Sequence, residues 1–270
     1  MKIQHLISTM YRADFGFVDN MHIQHDALIV NQGVQAGSTT INKANVELKI
    51  INTAEKGLSN SRNMLLSNCT GDICIIGDDD LVYRDGYDRA IIQAYRDFPK
   101  ADIIVFQFSE DALRNTRTHY SSPRRLGIFE ISKVASVEIT FKRDAVIGAN
   151  IAFDSVLGLG APIGSGEENA FLADALRKGL VIQYVPFTIC YCLPDDTRKK
   201  WKDGFNENYL SLKGAAFYRI YGDLLWIFIS AGFVLVKKRT LFSSMSLMKC
   251  FSSIFKGRSL YLKELCNYEN

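Results

Sequence analysis

The feature that most constrains this chain is an alternation. Through the first 190 residues, short β-rich apolar runs take turns with stretches of helical periodicity. Ile3–Ser8, Ala27–Val30, Val46–Ile51, Asp72–Ile76 and Ile103–Phe108 read as strands, each bounded by turn or polar residues. Gly57–Asn68 and Asp85–Phe98 read as helices. In the second, Tyr87, Ile91, Ala94, Tyr95 and Phe98 share one face, and Pro99 follows the end. Val134–Phe141 and Val181–Tyr191 add two strands, a helix is expected to begin near Gly166, and the polar stretch 109–127 reads as a loop or insertion. Such alternation predicts an α/β fold with a mostly parallel central sheet and flanking helices. In sheets of this kind ligands bind beyond the carboxyl ends of the strands, so the residues after each strand are the ones to read for chemistry.

Beyond Pro194 the character changes. Asn206–Ile220, Asp223–Val236 and Thr240–Phe255 look helical, the last carrying Leu241, Met245, Met248, Phe251 and Phe255 at helical spacing. Charge divides at the same place. Residues 198–270 hold 13 Lys/Arg against 5 Asp/Glu, whereas the remainder holds 19 against 24. The expected organisation is therefore an acidic body over 1–197 and a basic, amphipathic helical extension over 198–270.

With 47% apolar and 23% charged residues, neither a mostly disordered chain nor a polytopic membrane protein is expected. A net charge of +3 gives no ground for nucleic acid as a partner. Six cysteines form no CxxC pair, and MKIQHLISTMYR has no long apolar stretch of the secretory kind, so a reducing cytoplasm is the expected compartment. Leu224–Val236 is the most apolar segment, shorter than the roughly 20 residues a span requires, and reads as a buried or interfacial helix.

Two constellations carry chemistry. Asp78, Asp79 and Asp80 directly follow the strand DICIIG. Three like charges so close repel one another, and a divalent cation bound to a diphosphate relieves that cost. Hard oxygen ligands suit Mn²⁺ or Mg²⁺, although a solvated Asp-rich turn explains the triplet alone equally well. Upstream, EKGLSNSRNMLLSN places a glycine, two hydroxyls and Arg62 at a helix start, either an anion seat or an ordinary cap. The second constellation is GSGEENAFLADALRKG, with Glu167 and Glu168 in a first helical turn. Carboxylates there suit a general base, but Ser165 and Glu168 also fit a capping box with Ser165 as N-cap.

Taken together, GLSNSRNMLLSNCTGDICIIGDDD resembles the nucleotide-sugar-binding core of family 2-like inverting glycosyltransferases with the GT-A fold. The matches are Gly57, Arg62, Asn63, Gly71, Asp72, Ile73–Ile76, Asp78 and Asp80, ungapped over more than twenty residues. The resemblance extends to Ser8-Thr9-Met10-Tyr11-Arg12 and Val30-Asn31-Gln32-Gly33, and covers about two thirds of the chain. It implies a GT-A, Rossmann-like body with a nucleotide-sugar half over about 1–108 and an acceptor half over about 128–197.

By the same resemblance, Thr9, Arg12, Asn31, Gly57, Ser59, Arg62, Asp78 and Asp79 seat the nucleotide. Asp80 holds Mn²⁺ or Mg²⁺, with Asp78 on the metal or its water shell. Glu168 acts as base, with Glu167 as second choice, and Gly166 and Trp201 lie on the acceptor side. Asn31 and Glu168 stand where the family commonly has Asp. The implied reaction moves a sugar from a nucleotide-sugar donor, with a UDP-sugar first choice, to a saccharide hydroxyl in bacterial surface-polysaccharide synthesis. A lipid-linked acceptor and an anionic membrane surface would suit the basic tail, placing the protein peripherally on the inner face of the cell membrane. His22 and His25 lack a third ligand, and no histidine follows His119 to complete a metal shell. Two other readings stay open: a nucleotidyltransferase, disfavoured because Ser8–Gly16 is not a Gly- and Lys-rich loop, and a non-catalytic nucleotide-sugar-binding or membrane scaffold.

Overall fold

The computed structural model describes residues 1–43, 46–110, 119–193, 206–241 and 245–269. In chain order the elements are β1 (Ile3–Met10), α1 (Phe17–Asn20), β2 (Ala27–Gln32), β3 (Gly37–Lys43), β4 (Val46–Thr53), α2 (Leu58–Asn68), β5 (Ile73–Asp78), β6 (Leu81–Tyr83) and α3 (Tyr87–Asp97). There follow β7 (Ile103–Ser109), β8 (Arg124–Arg125), β9 (Ile139–Lys142), α4 (Arg143–Gly148), α5 (Glu167–Arg177), β10 (Ile182–Cys192), α6 (Glu207–Leu241) and α7 (Leu247–Glu269).

The strands form one ten-stranded sheet in the order β3-β4-β2-β1-β5-β9-β7-β10-β6, with β8 pairing β10. The run β4-β2-β1-β5 is parallel, as is β7-β10, and β9 enters antiparallel between β5 and β7. Central strands are buried on both faces, so successive residues serve two cores. Leu6, Val30 and Ile76 pack on one face with Leu65 of α2 and Phe171 of α5. Ile7, Ile29 and Ile75 pack on the other with Tyr87 and Ile91 of α3. The carboxyl ends of β1, β2 and β5 lie side by side, with Ser8 level with both Val30 and Asp78.

Three features differ from the expected elements. The strand read over Val134–Phe141 begins only at Ile139, because Ile131–Lys133 and Ser136–Glu138 form 3-10 turns. Glu138 holds the second turn, accepting from the Ala135 N–H at 2.8 Å and pairing with His119 at 3.0 Å, where both side chains are buried. β3 was not foreseen; its sequence GSTTINK is polar on both faces, as an exposed edge strand permits. The last helix begins at Leu247, where the Ser246 hydroxyl accepts from the Lys249 N–H at 3.3 Å, and it continues to Glu269.

The two helices expected over 206–236 form one element broken at Gly222, whose φ of 73° a side chain would resist. The first arm belongs to the body. Ala215, Ala216 and Ile220, with Tyr261 of α7, lie in the core that Phe171 occupies. Arg219 pairs with Asp154 at 2.6 Å and with Asp174 at 2.5 Å. By length and composition α6 includes an apolar stretch long enough to cross a membrane; its first arm packs into the body and is ion-paired there, and in the second arm Trp226, Ser230 and Val234 are buried. That second arm exposes Leu224, Phe228, Leu235 and Val236.

Candidate active site

α2 follows Gly57 and enters just beneath the carboxyl ends of β1 and β5, which places Arg62 one turn inside the protein. Its side chain is 2% exposed. Such a guanidinium must be paired. Nη1 donates to Glu167 Oε1 at 2.9 Å and Nη2 to Asp78 Oδ1 at 3.3 Å. One side chain therefore joins the end of β5 to the start of α5. The two constellations, ninety residues apart in sequence, form one site. Asn63 secures the same region by clamping the Phe153 backbone, donating to its carbonyl at 2.8 Å and accepting from its N–H at 2.7 Å.

The three aspartates have separate surroundings. Asp79 accepts from the Thr9 hydroxyl at 2.5 Å and from Arg12 Nε and Nη2 at 3.1 and 2.7 Å, anchoring the segment after β1. Asp78 is raised from the usual carboxylate range by desolvation, opposed by Arg62 and reinforced by the charges of Glu167 and Asp79. Asp80 follows, and its carbonyl accepts from the Leu193 N–H after β10. Among the described residues Asp79 pairs with Arg12, and Asp78 and Glu167 pair with Arg62, so five carboxylates, Asp80 and Glu168 included, bring hard oxygen donors to this region. That set fits Mn²⁺ or Mg²⁺ held by one or two carboxylates and the phosphates of a ligand. Among the described residues no group of three His, Cys, Asp or Glu forms a ready-made cage.

Asn31, 1% exposed, fixes the floor of the neighbouring cleft. It accepts from the Arg12 N–H at 3.0 Å and donates to the Arg12 carbonyl at 2.9 Å and to Asn52 Oδ1 at 3.0 Å. The cleft, about 400 Å³, is lined by Arg12, Asn31, Gln35, Ser38, Thr39 and Asn52 among others. Asn52, at the end of β4, was missed in the sequence although the strand-end rule covers it. Gln35, Ser38 and Thr39 belong to the unforeseen edge. Ser59 is turned away from this cleft: buried, it donates to the Leu157 carbonyl at 2.6 Å. The other hydroxyl of that helix start, Ser61, donates to Ser8 Oγ at 2.8 Å.

At the start of α5 the cap is Gly166, with φ 98°, and no side chain caps the helix. The expected capping box with Ser165 is thus not formed, because Glu167 and Glu168 occupy the first two helical positions. Glu167 is held by Arg62. Burial, and then the charge of Glu167, push the Glu168 carboxyl up to about 8. An acid held in that range is suited to accept a proton near neutrality. Asn169 orients the helix by donating to the Ile131 and Val134 carbonyls, and Phe171 stacks on Phe153 at 4.4 Å. Trp201 lies outside the described residues.

The family model for glycosyl transferase family 2 matches residues 19–156, just over half of the chain. No curated protein matches it in sequence. Among solved structures, TarS 1–349 of S. aureus in complex with UDP-GlcNAc superposes with a TM-score of 0.61 at 13% identity, over 99% of this chain and 80% of that one. TarS 1–349 in complex with UDP gives 0.59 at 11%, over 100% and 91%. The mannosyltransferase PcManGT from Pyrobaculum calidifontis, in complex with GDP-Man and Mn²⁺, gives 0.52 at 13%, over 97% and 87%. The chain belongs to glycosyl transferase family 2 and is a glycosyltransferase with a GT-A fold.

Proposed function

We propose that the protein is a metal-dependent inverting glycosyltransferase that moves a sugar from a UDP-sugar to a saccharide hydroxyl in bacterial surface-polysaccharide synthesis. The observation that carries this reading is the Arg62 bridge, which sets a strand-end carboxylate pair and a helix-start carboxylate pair around one site. Its two sides match the two tasks of the reaction, holding a diphosphate donor and removing a proton from the attacking hydroxyl.

In this reading the cleft of Arg12, Asn31 and Asn52 receives the base. Thr9 and Asp79 shape the nucleotide seat through their contacts with Arg12, Gly57 opens the helix that carries Arg62, Ser59 secures that helix start on the Leu157 carbonyl, and Arg62 orients Asp78. Asp80, with Asp78, would hold Mn²⁺ or Mg²⁺, which supplies stabilisation of the charge developing on the leaving diphosphate. Glu168 accepts the proton of the acceptor hydroxyl, and Glu167, engaged by Arg62, fixes where Glu168 stands. Gly166 and Trp201 belong to the acceptor side. The UDP and GDP-Man complexes of the similar structures support a nucleoside diphosphate donor, and the Mn²⁺ of one supports the metal.

The second arm of α6 is assigned to an anionic membrane surface carrying a lipid-linked acceptor. Leu224, Phe228, Leu235 and Val236 are exposed there, and basic residues, Lys249 and Lys256 among them, lie along α7.

The test of the enzymatic reading is thermal stabilisation by UDP, with and without Mn²⁺, and UDP release from a panel of UDP- and GDP-sugars. Stabilisation by UDP that needs Mn²⁺ and is lost in Asp80→Ala supports the assignment. No response to any nucleoside diphosphate overturns it.

A further inference from the structure

The cleft of Arg12, Asn31 and Asn52 ends in a pair of amides whose orientation the main chain decides. Asn31 and Asn52 stand level on the neighbouring parallel strands β2 and β4. The Arg12 N–H can only donate, and the Arg12 carbonyl can only accept. Asn31 answers both, with Oδ1 on the N–H at 3.0 Å and Nδ2 on the carbonyl at 2.9 Å. Which end of its amide is oxygen is therefore settled by the backbone. The second proton of the same Nδ2 goes to Asn52 at 3.0 Å. The Asn52 atom that receives it must be Oδ1, so the Asn52 Nδ2 is the end turned away from Asn31.

Among the described residues that amino group has no hydrogen-bond partner, and Asn52 lines the cleft. Gly37, opposite Asn52 on β3, leaves the space beside it open, since a Cβ there would meet nothing within 4 Å. Arg12, the charged residue of the same lining, is held by Asp79 at 2.7 Å. Gln35, Ser38 and Thr39 carry groups that can either donate or accept. Asn31 has spent both its amide protons. Asn52 is thus the lining side chain that offers the cleft a group of fixed sense, and that sense is donation.

We infer that Asn52 is the specificity-determining residue of the base cleft, its amino group reading a ring carbonyl of the donor nucleotide. The O4 oxygen of uracil accepts from it, whereas the 4-amino group of cytosine sets donor against donor. Asn31 acts by holding Asn52 in this orientation rather than by touching the base. The inference rests on reading this cleft as the nucleotide seat, and it names what that seat selects.

The test is titration calorimetry of UDP and of CDP, each with Mn²⁺, on the full chain. Wild type is expected to bind UDP about tenfold more tightly than CDP. Asn52→Asp keeps the shape and still accepts from Asn31, but presents an oxygen where the amino group stood. The preference is then expected to invert. Asn52→Ala removes the reading group and is expected to bring the two affinities within about twofold of each other. Because each variant is measured on both ligands, a general loss of affinity leaves the ratio untouched. UDP and CDP bound equally by wild type, or a ratio at the wild-type value in both variants, overturns the inference while the nucleotide seat stands. Should Asn52→Asp not fold, the ratio in Asn52→Ala decides alone. If wild type binds neither ligand, the reading of the cleft falls, and the inference with it.

Discussion

The carboxyl ends of the parallel strands and the C-terminal hairpin hold together by different means. Around the ends of β1, β2 and β5, side chains are fixed by charge and amide pairing: Arg12 on Asp79, Asn31 on Asn52, Arg62 on Asp78 and Glu167. Between α6 and α7 the contact is close packing of backbone. A Cβ on Gly214 would lie 1.8 Å from the Ile254 carbonyl oxygen, and one on Gly257 2.3 Å from Ser211 O and Ala215 N. Pairing arrests polar groups around an open cleft, at the cost of burying charges that each need a partner. Packing tolerates no added atom but leaves the outer face free for apolar and basic residues. The difference separates a polar, open cleft from a closely packed support.

The largest break in this comparison comes from Arg62→Met. It strands the buried Glu167 carboxylate, and a loss of about 3–5 kcal/mol is expected in urea denaturation. Arg219→Met, in the more exposed pairing to Asp154 and Asp174, is expected to cost less. The reverse order would refute the contrast between the halves.

Next is Gly257→Ala, which forces α6 and α7 apart and is expected to cost about 2 kcal/mol. Gly232→Ala on the same hairpin meets nothing within 4 Å and is expected to be neutral or slightly stabilising. Melting curves of the two variants check both.

A smaller effect concerns pH. The folded-state pKa of Glu168 lies above its ordinary value of 4.5, so the folded protein holds this proton longer than the unfolded chain does. Its contribution to stability is favourable at acid pH and declines as pH rises through about 8. Glu168→Gln is therefore expected to raise Tm at pH 9 and to leave it unchanged at pH 4. A gain at acid pH alone would reverse the assigned sign.

The smallest stability effect is expected on the outer face. Leu224→Ser with Phe228→Ser should change stability by less than about 0.5 kcal/mol, since both side chains are 72–75% exposed. Sedimentation with vesicles containing anionic lipid is expected to fall. Unchanged sedimentation would remove the membrane assignment from this arm.

Much of the fold was legible in the sequence because strands buried on both faces are apolar throughout and stop at polar residues. The runs from Ile3, Ala27, Val46, Asp72 and Ile103 all fall on strands, although the fourth begins at Ile73 and extends to Asp78. β3 was not legible, since an exposed edge needs no apolar pattern. The turns before β9 were hidden for a different reason: Val134 and Val137 are apolar because they are buried, and the Glu138 pairing that bends the chain there is long-range. The candidate residues could be picked out in the sequence as types, and their joint site is a proposal. What the sequence could not carry was which partner each one takes. Nothing local tells that Ser59 faces Leu157 rather than the cleft, or that Arg62 reaches Glu167. The basic tail was legible as a charge excess, but the close approach of Ala216 to Gly166 across the fold was not.

The central claim is that donor binding and proton removal are carried by separate sides of the Arg62 bridge. The most direct measurement compares UDP binding in the presence of Mn²⁺ with UDP release from a UDP-sugar in Glu168→Gln. The expected result is UDP affinity within about twofold of wild type, with turnover reduced by roughly 10²–10⁴. Turnover at the wild-type rate, or loss of UDP binding together with turnover, would contradict it.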